Sequence, residues 1–239
     1  MRERIPLFAG LTLLALAVAL GSVFIANGIR DRNRADVIAV TGSAKARIVS
    51  DYIVWDATLS SQDSSPAAAA RQLTVWTTRV QSFFRDQGVA AAELTVQPIS
   101  TETPGSYDQN GARVTGYRLT RSFEIRSTRV GAIAAVAERS SSLLARGVPL
   151  AADPPQYVYT KLPALRPRLL AAATRDAQAR ARVLVAASGA KLGKLRGVDV
   201  GVFQVSSPNS TDVSDYGVYD TTTLRKDVTA VVNVTFALS

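Results

Sequence analysis

The residues that could do chemistry in this chain are few, and the missing types set the limits. Histidine and cysteine are both absent, which removes imidazole bases, thiolate nucleophiles, Cys/His zinc sites and disulfides together. Ser43 and Lys45 stand two apart and can share a strand face, the minimum for a Ser-Lys nucleophile pair. No oxyanion-hole or nucleophile-elbow pattern accompanies them, so a polar strand end is the favoured reading. Asp212, Asp215 and Asp220 offer carboxylate oxygens to a hard cation such as calcium, but their spacing fits no calcium-loop pattern, and a solvated loop is favoured. Glu3, Glu93, Glu102, Glu124 and Glu138 are too scattered to suggest a paired-carboxylate hydrolase. The expectation is no enzyme, no cofactor and no metal.

Charge is more informative. The formal net charge is +9, and most of it falls in residues 161–196, where nine Lys/Arg face Asp176 alone. This stretch reads as one long basic helix with a glycine stop at Gly189 and Gly193. Within it Arg175, Arg180, Arg182, Lys191 and Lys194 are the candidate residues for binding an anion or a partner. The bland alternative is a solvated helix face; the functional one is contact with lipid headgroups or with an acidic patch on a neighbouring subunit. Nucleic acid is disfavoured because no aromatics are interleaved with these arginines.

The elements that would position these residues follow from hydropathy and periodicity. Residues 5–29 carry no charge and are long enough for a helix to cross a hydrocarbon core. With the basic juxtamembrane segment they form an expected N-terminal region, 1–36, read as a signal anchor. A cleavable signal peptide is the rival, but the apolar run continues through Val23, Phe24 and Ile25 past the small-residue site. Arg30, Arg32 and Arg34 follow the span, so charge alone does not favour export of what comes after it.

In residues 37–239 two strands are expected with a break near Ser50 and Asp51. Ile53, Trp55, Ala57 and Leu59 alternate as a core-facing set. Ser64-Ser65-Pro66 starts a helix to about Gln87, stopped by Gly88, with Leu73, Val80 and Phe84 on one stripe and Trp76 beside it. Strands are expected at 93–101 and 114–127 around a turn-rich segment at 104–111, then a helix at 129–145 closed by Gly147 and a short strand at 157–160. In the basic helix Leu170, Ala173, Ala177, Ala181 and Leu184 would share the inward face; Pro163 suits a first turn, whereas Pro167 means either a distorted turn or a later start. A strand from Gly197 to Ser206, a polar loop at 207–223 and the alternating strand Val228, Ala230, Val232, Val234, Phe236, Leu238 complete the chain. Adjacent hairpins with helices to one side make an α+β fold of mixed or antiparallel sheets, with a βαββ pseudo-repeat, preceded by the transmembrane helix.

Four places resemble the SIMPL domain family, which includes periplasmic immunogenic and oxidative-stress defence proteins of bacteria. Val40-Thr41-Gly42 resembles its VTG segment. Tyr107 with Thr115-Gly116-Tyr117-Arg118 resembles its hairpin. Asp176-Ala177 through Lys191-Leu192-Gly193 resembles its DAxxKA helix and stop, and the terminal VTAVVNVTFAL its closing strand. Where relatives commonly start the long helix with Ser-Asp-Pro-Glu, this chain has Lys161-Leu162-Pro163-Ala164, losing the usual cap and first-turn acid. The resemblance implies an envelope domain that assembles into oligomers, here at the bacterial inner membrane with residues 37–239 in the periplasm, and it supplies no catalytic residues. The other open reading is a monomeric module that binds an anionic ligand or lipid surface through residues 161–196.

Overall fold

A computed structural model describes residues 36–103, 106–107, 113–114, 116–211 and 214–239. The expected span at 5–29 and Asp212 lie outside them. Among the described residues no helix is long and apolar enough to cross a membrane. The fold is α+β, and the chain divides into two compact units: Ala44–Leu169 with Val202–Ala230, and Met1–Ser43 with Leu170–Gly201 and Val231–Ser239.

The first of these units is built on β2 (Tyr52–Asp63) and β7 (Tyr117–Ser127), antiparallel from Ile53↔Ser127 to Asp63↔Tyr117. Period-2 alternation puts Ile53, Trp55, Ala57 and Leu59 on the same buried face as Phe123 and Ile125. Helix α1 (Pro66–Asp86) covers that face with Leu73, Val80 and Phe84. Ser65 caps it by accepting the Ala68 N–H, Pro66 occupies the first turn, and Gly88 at φ 79° lets the chain turn away. Phe84 meets Trp55 and Phe123 edge-on, at centroid distances of 5.7 and 5.8 Å. Ile133 and Val136 of α2 (Val130–Arg139) join the same core, so the helices lie to one side of this sheet, as expected.

Two expected elements are broken. The strand at 93–101 is a short 3-10 turn followed by β3 (Leu94–Val96) and β4 (Ser100–Glu102), each paired to β7. Pro98 lies between them, and without an N–H it cannot continue the ladder. The helix at 129–145 is α2 plus a separate turn, α3 (Ser142–Ala145). At the break the Ser140 and Ser141 hydroxyls donate back to the Ala137 and Glu138 carbonyls, the local bonding by which serine competes with a helix. A hairpin of β5 (Ser106–Tyr107) and β6 (Arg113–Val114) falls in the turn-rich segment. The short strands β8 (Leu150–Ala152) and β9 (Gln156–Val158) both pair with β2; β8 has no counterpart in the sequence expectations.

Helix α4 (Leu162–Ser188) starts ahead of both prolines, so Pro167 is inside it. The chain entering it is held from the turn after β1 (Val37–Val49): Asp51 accepts the Thr160 N–H at 2.7 Å and the Thr160 hydroxyl at 3.0 Å, and lies 3.5 Å from the Lys161 ammonium. Burial pushes the Asp51 carboxyl up, but the Thr160 hydrogen bonds and the Lys161 charge outweigh it and hold the group below its ordinary value. Asp51→Ala is expected to lower stability by about 1–2 kcal/mol in equilibrium denaturation, the cost of losing hydrogen bonds to a charged group.

The other unit is smaller: residues 37–43 of β1, α4 from Leu170, β10 (Leu192–Val200) and residues 231–238 of β12 (Arg225–Leu238), with strand order β1-β12-β10. β10 and β12 are antiparallel, Val198 opposite Val234 and Val200 opposite Val232. The buried set on α4 is Ala173, Ala177, Ala181 and Val185. Leu184, expected to face inward, is exposed instead: a four-residue repeat precesses about 40° per step around the helix, so the buried ridge rotates past Leu184 to Val185. Gly189 at φ 74° stops the helix. Gly193 is not a second stop. It lies in β10, where a Cβ would come 2.8 Å from the Ala237 carbonyl oxygen, and the expected strand from Gly197 to Ser206 is two: β10, which begins at Leu192 and ends at Val200, and β11 (Gln204–Ser206), paired with residues 227–229 of β12.

Candidate functional site

The motif residues of this smaller unit lock a helix onto a strand. A Cβ on Gly42 would sit 2.2 Å from the Ala173 carbonyl oxygen, 2.4 Å from the Ala177 nitrogen and 2.7 Å from the Ala177 Cβ. The α4 backbone therefore rests against β1, which only glycine facing alanines permits. Beside that contact the Ser43 N–H donates to Asp176 Oδ2 at 2.8 Å, and Arg180 reaches the same oxygen at 2.9 Å. The Ser43 hydrogen bond first, and Arg180 second, hold the Asp176 carboxyl below its ordinary value.

This geometry redistributes the candidate basic residues. Arg175 and Arg182, seven apart, share a helical stripe; Arg175 Nε donates to the Ala171 carbonyl at 3.3 Å, and Arg182 is exposed. Arg180 is tied to Asp176. Because α4 ends at Ser188, Lys191 and Lys194 are not on the helix at all. Lys191 exchanges backbone hydrogen bonds with Ser239, and Lys194 is an exposed residue of β10. The basic segment is thus divided between a helix and an edge strand.

What the arrangement leaves uncovered is apolar. One helix, about 10 Å across, lies over three strands spaced about 4.8 Å apart; it buries Val232, Val234 and Phe236 of the central strand and leaves the flanks bare. On the β1 flank, Ala39, Val40, Thr41, Ala179, Val183 and Leu184, with Arg180 among them, line a groove of about 610 Å³, with Val183 71% and Leu184 54% exposed. On the β10 flank, Val198 and Val200 stand opposite buried β12 residues and so share their face, yet Leu195, Val198 and Val200 are 53%, 41% and 56% exposed. Such flanks can bury apolar area against a partner; they hold no nucleophile or base.

The remaining candidates are engaged in structural pairs. The Lys45 ammonium lies 2.9 Å from Asp227, whose carboxylate also takes Arg47 Nε at 2.9 Å and Nη2 at 3.2 Å. These hydrogen bonds, Arg47's first and Lys45's next, hold Asp227 far below the usual carboxylate range. Asp220 accepts from Thr222, Thr223 and, at 3.5 Å, the ammonium of the fully buried Lys226. Asp215 is exposed, and among the described residues no group of three metal-ligating side chains occurs. Lys226 and Asp227 were missed from sequence, although Lys226 is in phase with Val228, Ala230 and Val232 and so was marked as inward-facing by the strand's own period.

Two carboxylates make the fold acid-sensitive. Arg129 hydrogen bonding outweighs burial and, with Ser127 and the Ala90 N–H, brings Glu93 down to about 2. Asp220, pushed up by burial but held more strongly by Thr223 and Thr222, also lies at about 2. Folded values below the unfolded ones give stability that is complete above about pH 4.5 and lost as pH falls toward 2. On the order of 2 kcal/mol should go with each carboxylate; urea denaturation from pH 7 to 2 checks this, and Glu93→Gln should flatten the slope.

Residues 38–236 match the family model SIMPL, described as a protein of unknown function (DUF541), and the chain belongs to that family. No curated protein matches it. The VTG glycine and the aspartate and alanine of the DAxxKA stretch, two of the segments that carried the resemblance, are the residues that meet at the β1–α4 contact.

Proposed function

We propose that this chain is a cell-envelope protein that works by assembling with further copies of itself, anchored in the inner membrane through residues 5–29 with residues 37–239 in the periplasm, and that it serves stress tolerance without catalysis. The observation that carries this reading is the pair of uncovered apolar flanks beside α4. Fully burying a Val or Leu side chain stabilises by about 1.5–3 kcal/mol, so closing both flanks against a second copy offers a substantial driving force, and exposed patches of this sort mark interaction sites. Leu184→Glu and Val198→Glu, each at an exposed position, are expected to lower the mass of the assembly in light scattering while leaving the far-UV circular dichroism unchanged. Unchanged mass in both variants contradicts the proposal.

A second reading, a monomeric module for an anionic ligand or lipid surface, is favoured by Arg175 and Arg182 sharing one stripe without an acidic partner among the described residues. It requires binding to anionic vesicles that weakens with salt and with Arg175→Gln and Arg182→Gln.

A further inference from the structure

We propose that the crevice between the end of β2 and the first half of α1 is a saccharide-binding pocket. Its volume is about 370 Å³, within the range of small-molecule sites. The lining combines Ser61, Gln62 and Asp63 from the strand with Arg71, Gln72 and Trp76 from the helix. Ala68 stands one turn before both Arg71 and Gln72, and Trp76 one turn after Gln72, so these residues border one side of the helix.

Polar groups in the pocket are oriented, and several are unused. Gln62 borders the pocket at the strand end, while its amide, accepting from Arg118 Nη2 at 3.1 Å, is held on the face of the sheet away from α1. Asp63 Oδ1 caps the helix start through the Ser65 N–H at 2.8 Å, leaving Oδ2 as an acceptor. Ser61 is only 5% exposed, and its hydroxyl, without a partner among the described residues, borders the pocket. Trp76 is half-buried against the core, with its indole N–H free of any partner among the described residues. Arg71 and Gln72 likewise form no hydrogen bond or ion pair there.

This composition selects a ligand class. One guanidinium and one carboxylate give no excess charge, so the pocket does not ask for a phosphate or nucleotide, which would need surplus positive charge. The side chains of Ser61, Asp63, Arg71, Gln72 and Trp76 argue against a purely apolar ligand. A sugar presents hydroxyls that donate and accept alternately, matching amide, carboxylate, hydroxyl and guanidinium neighbours, and its C–H face suits the apolar body of a tryptophan.

The test is calorimetric titration of the full chain, in a detergent without a sugar headgroup, with maltose and with diacetylchitobiose. Saturable binding of at least one disaccharide, with a Kd of about 1 mM or tighter, is expected, as is a loss of about tenfold in affinity on Arg71→Ala and on Gln72→Ala. Both side chains are exposed, so thermal melting should be unchanged in the variants. Absence of saturation by either disaccharide at about 10 mM, binding that is the same in both variants, or tighter binding of inorganic phosphate to the same pocket would each overturn the proposal.

Discussion

Gly42→Ala is expected to destabilise the protein by about 3 kcal/mol or more, the upper part of the range for overpacking a filled site. The new methyl would have to occupy space 2.2 Å from a carbonyl oxygen and 2.4 Å from a backbone nitrogen of α4. A flexible side chain could swing aside, but here the obstacles are main-chain atoms, so β1 and α4 must separate by more than an ångström. That separation stretches the Ser43-to-Asp176 hydrogen bond and loosens the packing of Ala173 and Ala177, both fully buried. The control is Gly197→Ala, where nothing lies within 4 Å of the new Cβ and stability should change little. Urea midpoints of the two variants separate the explanations: an equal, small effect at both positions would mean that the helix accommodates the methyl.

The second large effect is expected at Asp220. Replacing it with asparagine removes the carboxylate that, among the described residues, pairs with Lys226, a side chain with no solvent exposure. Stranding one partner of a buried pair costs about 3–5 kcal/mol, because the hydrogen bond to the Thr223 carbonyl at 2.5 Å does not neutralise the charge. Burial already holds Lys226 below its ordinary value, and Asp220 is what opposes that shift. In Asp220→Asn the folded lysine should therefore lose its proton more readily than the unfolded one. The unfolded state then binds more protons, so the variant regains stability as pH rises toward 10. Lys226→Met in the same background should recover most of the loss at neutral pH. A pH-independent penalty, or no recovery in the double variant, would contradict this reading.

These two sites show what sequence reasoning reaches and where it stops. Alternation placed Ile53, Trp55, Ala57, Leu59 and Val228, Ala230, Val232, Val234 and Phe236 of β12 in the core, because a half-buried strand writes its period directly into residue types. Cap and stop residues placed α1 almost to the residue. Failures arose where a local feature was outweighed by a partner in space. Pro98 and Ser140 interrupt elements whose hydropathy patterns run on through them. Leu184 looked equivalent to Ala181, but which of the neighbouring positions is buried depends on how the ridge crosses the sheet. Gly193 looked like a helix stop; its actual reason is the approach of Ala237 on β12. Asp51 could not be recognised as the residue that holds the entry to α4 because it lies 109 residues away from Thr160.

For the candidate site the division is similar. The charge density of residues 161–196 was legible, but its separation into Arg175 and Arg182 on a helix and Lys194 on an edge strand was not, since that depends on where the helix ends. The bare flanks had no signature at all. Leu195, Val198 and Val200 have the composition of core residues, and only the width of one helix against three strands leaves them exposed.

Assembly through those flanks is the central claim, and mass measures it most directly. Multi-angle light scattering on the chain from residue 36 to 239, over a concentration series, should give a mass well above that of a single chain, reduced by Leu184→Glu and Val198→Glu. A single-chain mass at every concentration would contradict the account.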